Sequence, residues 1–314
     1  MADRTVIALG GNAIAPASTG GTAQEQTTNI WQTMRQVADL VADGLDGLVL
    51  THGNGPQVGN VLIKNELARD VVPPVPLDWC VAQTQATIGF TIANTLTYEL
   101  ERRGVLRPVV PVVSRVLVDR DDPAWQHPTK PIGPYLDDAA EVARREADGQ
   151  HFVRIDGRGW RRVVPSPQPL ASLDHPAVEH LLAVGAIVIA NGGGGIPVLD
   201  EDDGPLHGAE AVIDKDLAGA LLGGEIAAER FVILTDVPGV AIDYGSPSQR
   251  WLEEVAVAEL RRHLAEGQFS AGSMGPKVAA ACRFVEATGG VAVIADLGAT
   301  RAAVEGRAGT RVRP

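Results

Sequence analysis

Short runs rich in β-branched residues recur along this chain, followed by glycine-rich turns and then by longer segments of helical periodicity. That alternation is the pattern of βα units, which build a mainly parallel sheet. The runs are Thr5 to Leu9, Leu48 to Thr51, Val109 to Val113, Ala186 to Ala190, Phe231 to Thr235 and Val291 to Ala295. They are apolar almost throughout rather than alternating, as expected of strands covered on both faces. Helices are expected near Glu25 to Asp43, Pro56 to Arg69, Cys80 to Arg103, Pro176 to Ala183, Ile213 to Leu222, Val257 to Ala265 and Pro276 to Thr288. No sequence repeat of fixed period interrupts this order.

Between Val118 and Pro169 the alternation fails. Prolines are frequent there, and Trp125, Trp160 and the basic residues Arg158, Arg161 and Arg162 break any strand or helix period. An irregular segment of this length implies an excursion from the sheet, either a lid or clamp over a site or a plain surface insertion. A chain of 314 residues with 45% hydrophobic and 21% charged content has ordinary globular composition, enough for one large α/β unit or two fused lobes. Its net charge of −12 gives no general support for binding nucleic acid, so an anionic ligand must be captured locally. Cys80 and Cys282 have no metal-type spacing and read as reduced core residues. The first apolar run is short and stops at Gly10, Gly11 and Asn12, and no stretch reaches the roughly 18 apolar residues of a membrane span. A cytoplasmic protein is expected.

Of 27 lysines and arginines only four are lysine: Lys64, Lys130, Lys215 and Lys277. Where arginine supplies the general positive charge, a retained lysine points to a need for a compact ammonium, as phosphoryl-transfer sites have. Lys130 lies in Thr-Lys-Pro-Ile-Gly-Pro, Lys215 between Asp214 and Asp216, and Lys277 after Gly-Ser-Met-Gly-Pro. Lys64 sits on an amphipathic helix and reads as a solvated surface residue. The Asp214 and Asp216 pair is compatible both with capping a helix start and with organising the lysines.

Three strand-to-helix turns could turn backbone N–H groups toward an anion: Gly10-Gly11-Asn12, His52-Gly53-Asn54-Gly55 and Asn191 to Gly195. Pro56 marks a helix start just after the second turn, and Pro276 does the same before Lys277. Singly, each loop is compatible with ordinary turn chemistry. Neither G-x-G-x-x-G nor G-x-x-x-x-G-K-[ST] occurs, the histidines lack metal-ligand spacing, and no G-x-S-x-G elbow is present. His52 is read as a structural turn histidine, with a catalytic role as the alternative.

The segments Ala-Leu-Gly-Gly-Asn-Ala (8 to 13), His-Gly-Asn-Gly-Pro-Gln-Val-Gly (52 to 59), PTKPIGP (128 to 134), GRGWRRVVPSP (157 to 167), GGGGIPV (192 to 198), EAVIDKDL (210 to 217) and GSMGPK (272 to 277) resemble, in order, the blocks of the carbamate kinases. The resemblance implies a three-layer αβα sandwich with a mainly parallel central sheet and a small protruding subdomain over about 118–165. It also implies an N-terminal acceptor lobe (1–205), a C-terminal nucleotide lobe (206–314) and a homodimer. By the same resemblance Gly10, Gly11, Asn12, Gly53, Asn54 and Gly55 line the carbamate and phosphoryl site. Lys130, Lys215 and Lys277 act on the phosphates, Asp216 holds the lysines, and Asp214, Thr235, Asp236, Met274 and Gly275 contact nucleotide. Thr235-Asp236-Val237-Pro238-Gly239 departs from this and looks more like the acetylglutamate kinases. The activity implied is reversible phosphoryl transfer between ATP and carbamate, through ADP and carbamoyl phosphate, with Mg²⁺ and no protein-borne metal site. It would serve ATP formation in arginine or related nitrogen catabolism. The alternatives are an acetylglutamate-type kinase of the same fold and a noncatalytic sensor of ATP or carbamoyl phosphate.

Overall fold

All six expected strands lie side by side in one eight-stranded sheet. Its order is Glu254–Ala256, Thr310–Arg313, Val291–Asp296, Arg230–Thr235, Thr5–Leu9, Leu48–His52, Ile187–Ile189 and Val109–Pro111. The computed structural model describes residues 3–14, 21–201, 204–270 and 272–314. The six expected strands run parallel to one another, whereas Thr310–Arg313 pairs antiparallel with Val291–Asp296 and parallel with Glu254–Ala256. Those two strands, at one end of the sheet, are only partly buried and lack the continuous apolar runs that mark the others.

The two-residue period of a strand divides the core into two layers. Val6, Ala8, Val49, Val188, Phe231, Ile233, Ala292 and Ile294 face one way, into a cluster completed by helices His175–Ala183, Lys215–Glu225, Val257–Ala265 and Met274–Thr288. Ile7, Leu9, Leu48, Leu50, Ile187, Val232, Leu234 and Val293 face the other way, against Ala23–Ala42, Leu77–Glu101 and Thr300–Val304. The result is the expected three-layer αβα sandwich. Both faces of Thr5–Leu9 are therefore dry, and its five residues are all buried. Each such apolar side chain contributes roughly 1.5–3 kcal/mol by burial.

The first long helix starts as its sequence directs. Thr22 caps it by accepting from the Glu25 backbone N–H, while the Glu25 carboxylate accepts from the Thr22 N–H at 2.8 Å, a capping box. Cys80 and Cys282 are buried free thiols, and Lys64 is exposed.

The region expected to be irregular is ordered. Lys130–Leu136, His151–Ile155 and Gly159–Val164 form a separate antiparallel sheet with Gly159–Val164 in the middle, and Ala139–Ala147 is a helix capped by Asp138. The periodicity was hidden because few of these residues are buried: Val142 is the only buried residue of the helix, and His151–Ile155 has none. Val118 itself belongs to a four-stranded sheet of Arg115–Val118, Pro169–Ser172, Ile196–Leu199 and His207–Gly208.

Candidate active site

The parallel strands point their C-terminal ends at one edge of the sheet, where open α/β folds bind ligands. Gly10 follows Leu9, Gly53 follows His52, Asp236 follows Thr235 and Leu297 follows Asp296, and all four open onto one cleft of about 290 Å³. Of the residues singled out in the sequence, Gly10, Gly11, Gly53, Asn54, Gly55, Lys130, Asp214, Lys215, Asp216, Thr235, Asp236 and Lys277 line it. The side chain of Asn12 lies outside the described residues. Pro56, which marks the helix start after the second turn, lines it too, and Ala13, Ile132, Val212, Ser273 and Leu297 also line the cleft without having been singled out. They carry no chemistry-bearing group that sequence could flag, apart from the Ser273 hydroxyl.

Three lysines from distant parts of the chain converge on two carboxylates. Lys215 opens helix Lys215–Glu225, and its ammonium pairs with Asp216 Oδ1. Lys277, from helix Met274–Thr288, donates to Asp216 Oδ2 at 2.9 Å. Lys130, on the subdomain strand Lys130–Leu136, donates to Asp214 Oδ2 at 2.6 Å. Asp214 also caps the helix, since its Oδ1 accepts from the N–H groups of Asp216 (2.9 Å) and Leu217 (3.3 Å). Within this pair Asp214 is the helix cap as well as the partner of Lys130, and Asp216 pairs with Lys215 and Lys277 and makes no capping bond.

The electrostatics follow from burial and charge. Burial alone would raise the Asp216 carboxyl, but the Lys215 and Lys277 ammoniums outweigh it and hold the group far below the usual carboxylate range. Asp214 is likewise held low, with burial opposed by Lys130. Burial, opposed by Asp216, leaves Lys215 with a lowered pKa, whereas Lys277 ends raised because Asp216 overcomes its desolvation. Asp216 is thus a permanent anion at neutral pH and a poor proton acceptor.

The glycine loops sit on a buried polar scaffold. The Gly53 N–H donates to the Leu9 carbonyl at 3.2 Å, and His52 Nδ1–H donates to the Gly53 carbonyl at 3.0 Å, so two adjacent strand ends are tied together. Asn54 Nδ2 donates to Thr84 Oγ1 at 2.9 Å, and Gln85 Nε2 donates to the carbonyls of Gly192 (2.9 Å) and Ser114 (3.1 Å). The 191–195 turn owes its glycines mainly to close packing. A Cβ on Gly192 would stand 2.3 Å from His52 Nε2, and one on Gly193 2.3 Å from Asn54 Nδ2. Of the four glycines only Gly193 reaches the cleft. Asn191 takes the left-handed conformation at φ 50° and is fixed there: its N–H donates to Ser114 Oγ and its Oδ1 accepts from Ser172 Oγ, both at 3.0 Å. Sequence reasoning misses Thr84 and Gln85, which with Thr91 and Glu99 are the polar residues on the buried, mostly apolar face of their helix.

His52 is 1% exposed, and burial together with Lys215 lowers its pKa to about 4 against the Gly53 hydrogen bond. It is neutral at physiological pH.

A second cavity of about 410 Å³ shares Thr235, Asp236 and Ser273 with the first and continues to Tyr244, Trp251, Phe269 and Met274. Met274 therefore belongs to this apolar annex. Gly275 lines neither space; its N–H donates to the Ser270 carbonyl at 2.9 Å. Among the described residues no group of three His, Cys, Asp or Glu is placed to hold a metal, and no helix is long and apolar enough to cross a membrane.

Residues 3–296 match the Amino acid kinase family. A carbamate kinase of Thermococcus kodakarensis is 49% identical over 311 residues, covering 98% of each chain, and one of Trichomonas vaginalis is 42% identical over 99% of each. The solved carbamate kinase of Giardia lamblia bound to AMP-PNP superposes with a TM-score of 0.91 at 36% identity, covering 99% of this chain and 98% of that one. With the whole sandwich, the subdomain and the lysine-bearing cleft inside these matches, the chain belongs to the amino acid kinase family and, within it, to the carbamate kinases.

Proposed function

We propose that this chain transfers a phosphoryl group reversibly between ATP and carbamate, giving ADP and carbamoyl phosphate, in the cleft where its lysines meet. The observation that carries this reading is the convergence of Lys130, Lys215 and Lys277 on Asp214 and Asp216. Lys130, Lys215 and Lys277 are set against Asp214, Asp216 and Asp236 on the cleft wall, so positive charge is held at defined points where two anionic reactants must be brought together. A carbamate oxygen is already anionic, so no general base is needed, and positioning with charge cancellation is the catalytic task. Asp216, locked by two ammoniums, organises them. The N–H groups of the Gly10–Gly11 and Asn54–Gly55 turns would hold the transferring group and the acceptor.

The annex of Tyr244, Trp251, Phe269 and Met274 suits the flat, partly apolar base of the nucleotide, beside Thr235 and Asp236. The domain reading follows: acceptor lobe 1–205 with the subdomain, nucleotide lobe 206–314. Mg²⁺ enters with the nucleotide, since it favours phosphate oxygens and water over an all-protein cage. Among the described residues lining the cleft there is no arginine, which leaves a second carboxylate, as in acetylglutamate, without a guanidinium partner. The homodimer is supported by helix Leu77–Glu101, whose exposed Trp79, Gln83, Ala86, Thr87, Phe90 and Asn94 form an uncharged face. A cytoplasmic location and the ATP-forming direction, in arginine or related nitrogen catabolism, complete the reading. Purified protein given ADP, Mg²⁺ and carbamoyl phosphate should produce ATP; none at any concentration would overturn the assignment, and faster turnover with acetylglutamate and ATP would replace it.

A further inference from the structure

We propose that the contact between Gly59 and Gly133 is the seat that positions Lys130, so that the loop at the start of helix Gly55–Ala68 and the subdomain lysine are set by one rigid helix. The inference rests on reading Lys130 as a phosphoryl contact. Among the described residues the three-stranded subdomain sheet shares no strand pairing with the main sheet. It is seated on helix Gly55–Ala68 instead. A Cβ on Gly59 would lie 2.2 Å from Gly133 Cα and 2.5 Å from its nitrogen, backbone atoms with nowhere to go. Gly133 has φ +68°, and the pairing of its strand with Gly159–Val164 shifts register between Ile132 and Tyr135. The strand therefore kinks where it meets the helix.

Around this point the attachment is closed on both sides. Ile132 packs with Val58, Val164 and Val212, and farther along the helix Glu66 holds Arg145 at 2.5 Å and Gln150 at 3.1 Å. The opposite end of the same helix, Gly55 and Pro56, lines the cleft, as does Lys130 three residues before Gly133. A glycine in a helix interior favours the unfolded chain, so its place here answers to the approach of Gly133 and not to helix stability. A displacement at Gly133 is passed along an extended strand of about 10 Å to the Lys130 backbone. Misplacing a catalytic group by about 1 Å can cost on the order of 100-fold in rate.

The test is a double-mutant comparison in the ATP-forming assay. Gly59→Ala should lower kcat by about 10- to 100-fold. The ADP dissociation constant should stay within about twofold, because the nucleotide annex is untouched, and in a Lys130→Ala background Gly59→Ala should cost less than about twofold more. The same loss in both backgrounds means Gly59 acts elsewhere and overturns the proposal. Wild-type turnover for Gly59→Ala beside an impaired Lys130→Ala overturns it while leaving the functional reading intact. A fully active Lys130→Ala removes that reading and the proposal with it. Hydrogen exchange gives a readout independent of turnover: amides of Lys130–Leu136 should exchange faster in Gly59→Ala while those of Thr5–Leu9 do not change, and unchanged exchange in both overturns the proposal. Should Gly59→Ala not fold, Glu66→Gln loosens the same seat by weakening the Arg145 pair. It should show a smaller kcat loss that likewise vanishes in the Lys130→Ala background, and a loss that persists in full there counts against the proposal.

Discussion

Asp214 and Asp216 stand two residues apart at the start of one helix, yet they hold their lysines in different ways. The side chain of Asp216 is 2% exposed and shared by Lys215 and Lys277, which come from two helices on the same face of the sheet. The Lys130–Asp214 pair is more open, at 29% and 13% side-chain exposure, and Lys130 arrives from a subdomain seated on a different helix. The first arrangement is built into the core and exists whenever the sandwich is folded. The second exists only while the subdomain is in place. One region therefore takes its charge from the sandwich core, and the other takes it from a subdomain seated on a separate helix.

The harshest way to break the first arrangement is Asp216→Asn, which strands two buried ammoniums. Stability should fall by about 3–5 kcal/mol, as when one partner of a buried ion pair is removed. Turnover should fall by about 10³-fold. Urea unfolding with steady-state kinetics checks both, and a stable, active variant would mean the lysines need no shared anion.

Lys215→Ala should leave the fold intact, because Asp216 keeps Lys277, yet reduce turnover by about 10²- to 10³-fold. Wild-type-like turnover there would end its catalytic role.

The built-in region should also respond to acid through His52. Its folded pKa of about 4 lies below the ordinary 6.5, so the unfolded chain binds the proton first as pH falls. The stabilisation is complete above pH 6.5 and is lost progressively down to about pH 4, amounting to at most ~3 kcal/mol. Urea midpoints measured from pH 7 to 4 should flatten in His52→Gln relative to the parent, and parallel curves would assign the acid limb to other groups.

The smallest effect sharpens the second arrangement. Lys130→Ala should lower turnover at least tenfold, about 1.4 kcal/mol of transition-state stabilisation, with the ADP dissociation constant changed by less than about twofold. If the subdomain closes on its ligand, hydrogen-exchange protection of residues 130–164 should rise with ADP and a carbamoyl phosphate analogue together and change little with ADP alone. Equal protection in the free and doubly liganded protein would make it a static part of the wall.

These two regions were not equally legible. The fixed region announced itself: the strand runs ending at Leu9, Thr51 and Thr235 are largely apolar because both faces are covered, and the scarce lysines stand out against the arginines. The subdomain looks irregular in the sequence because strands such as His151–Ile155 bury none of their residues, so no hydrophobic period marks them. Glu254–Ala256 and Thr310–Arg313, at one end of the sheet, carry no continuous apolar run because they are short and half-exposed. Tyr244, Trp251 and Phe269 carry no spacing signal, and only folding gathers them beside Met274.

The sequence by itself determined the α/β class, the positions of the six parallel strands and the glycine loops at their ends. Those features are local: strand burial writes an apolar run, and a tight turn writes glycine. What only the tertiary structure decided is which groups meet. Lys130 reaches Asp214 across 84 positions and Lys277 reaches Asp216 across 61. Gly192 is small because the His52 ring from another strand end occupies the space beside it. Such contacts are set by how layers pack, and packing leaves no periodic trace along the chain.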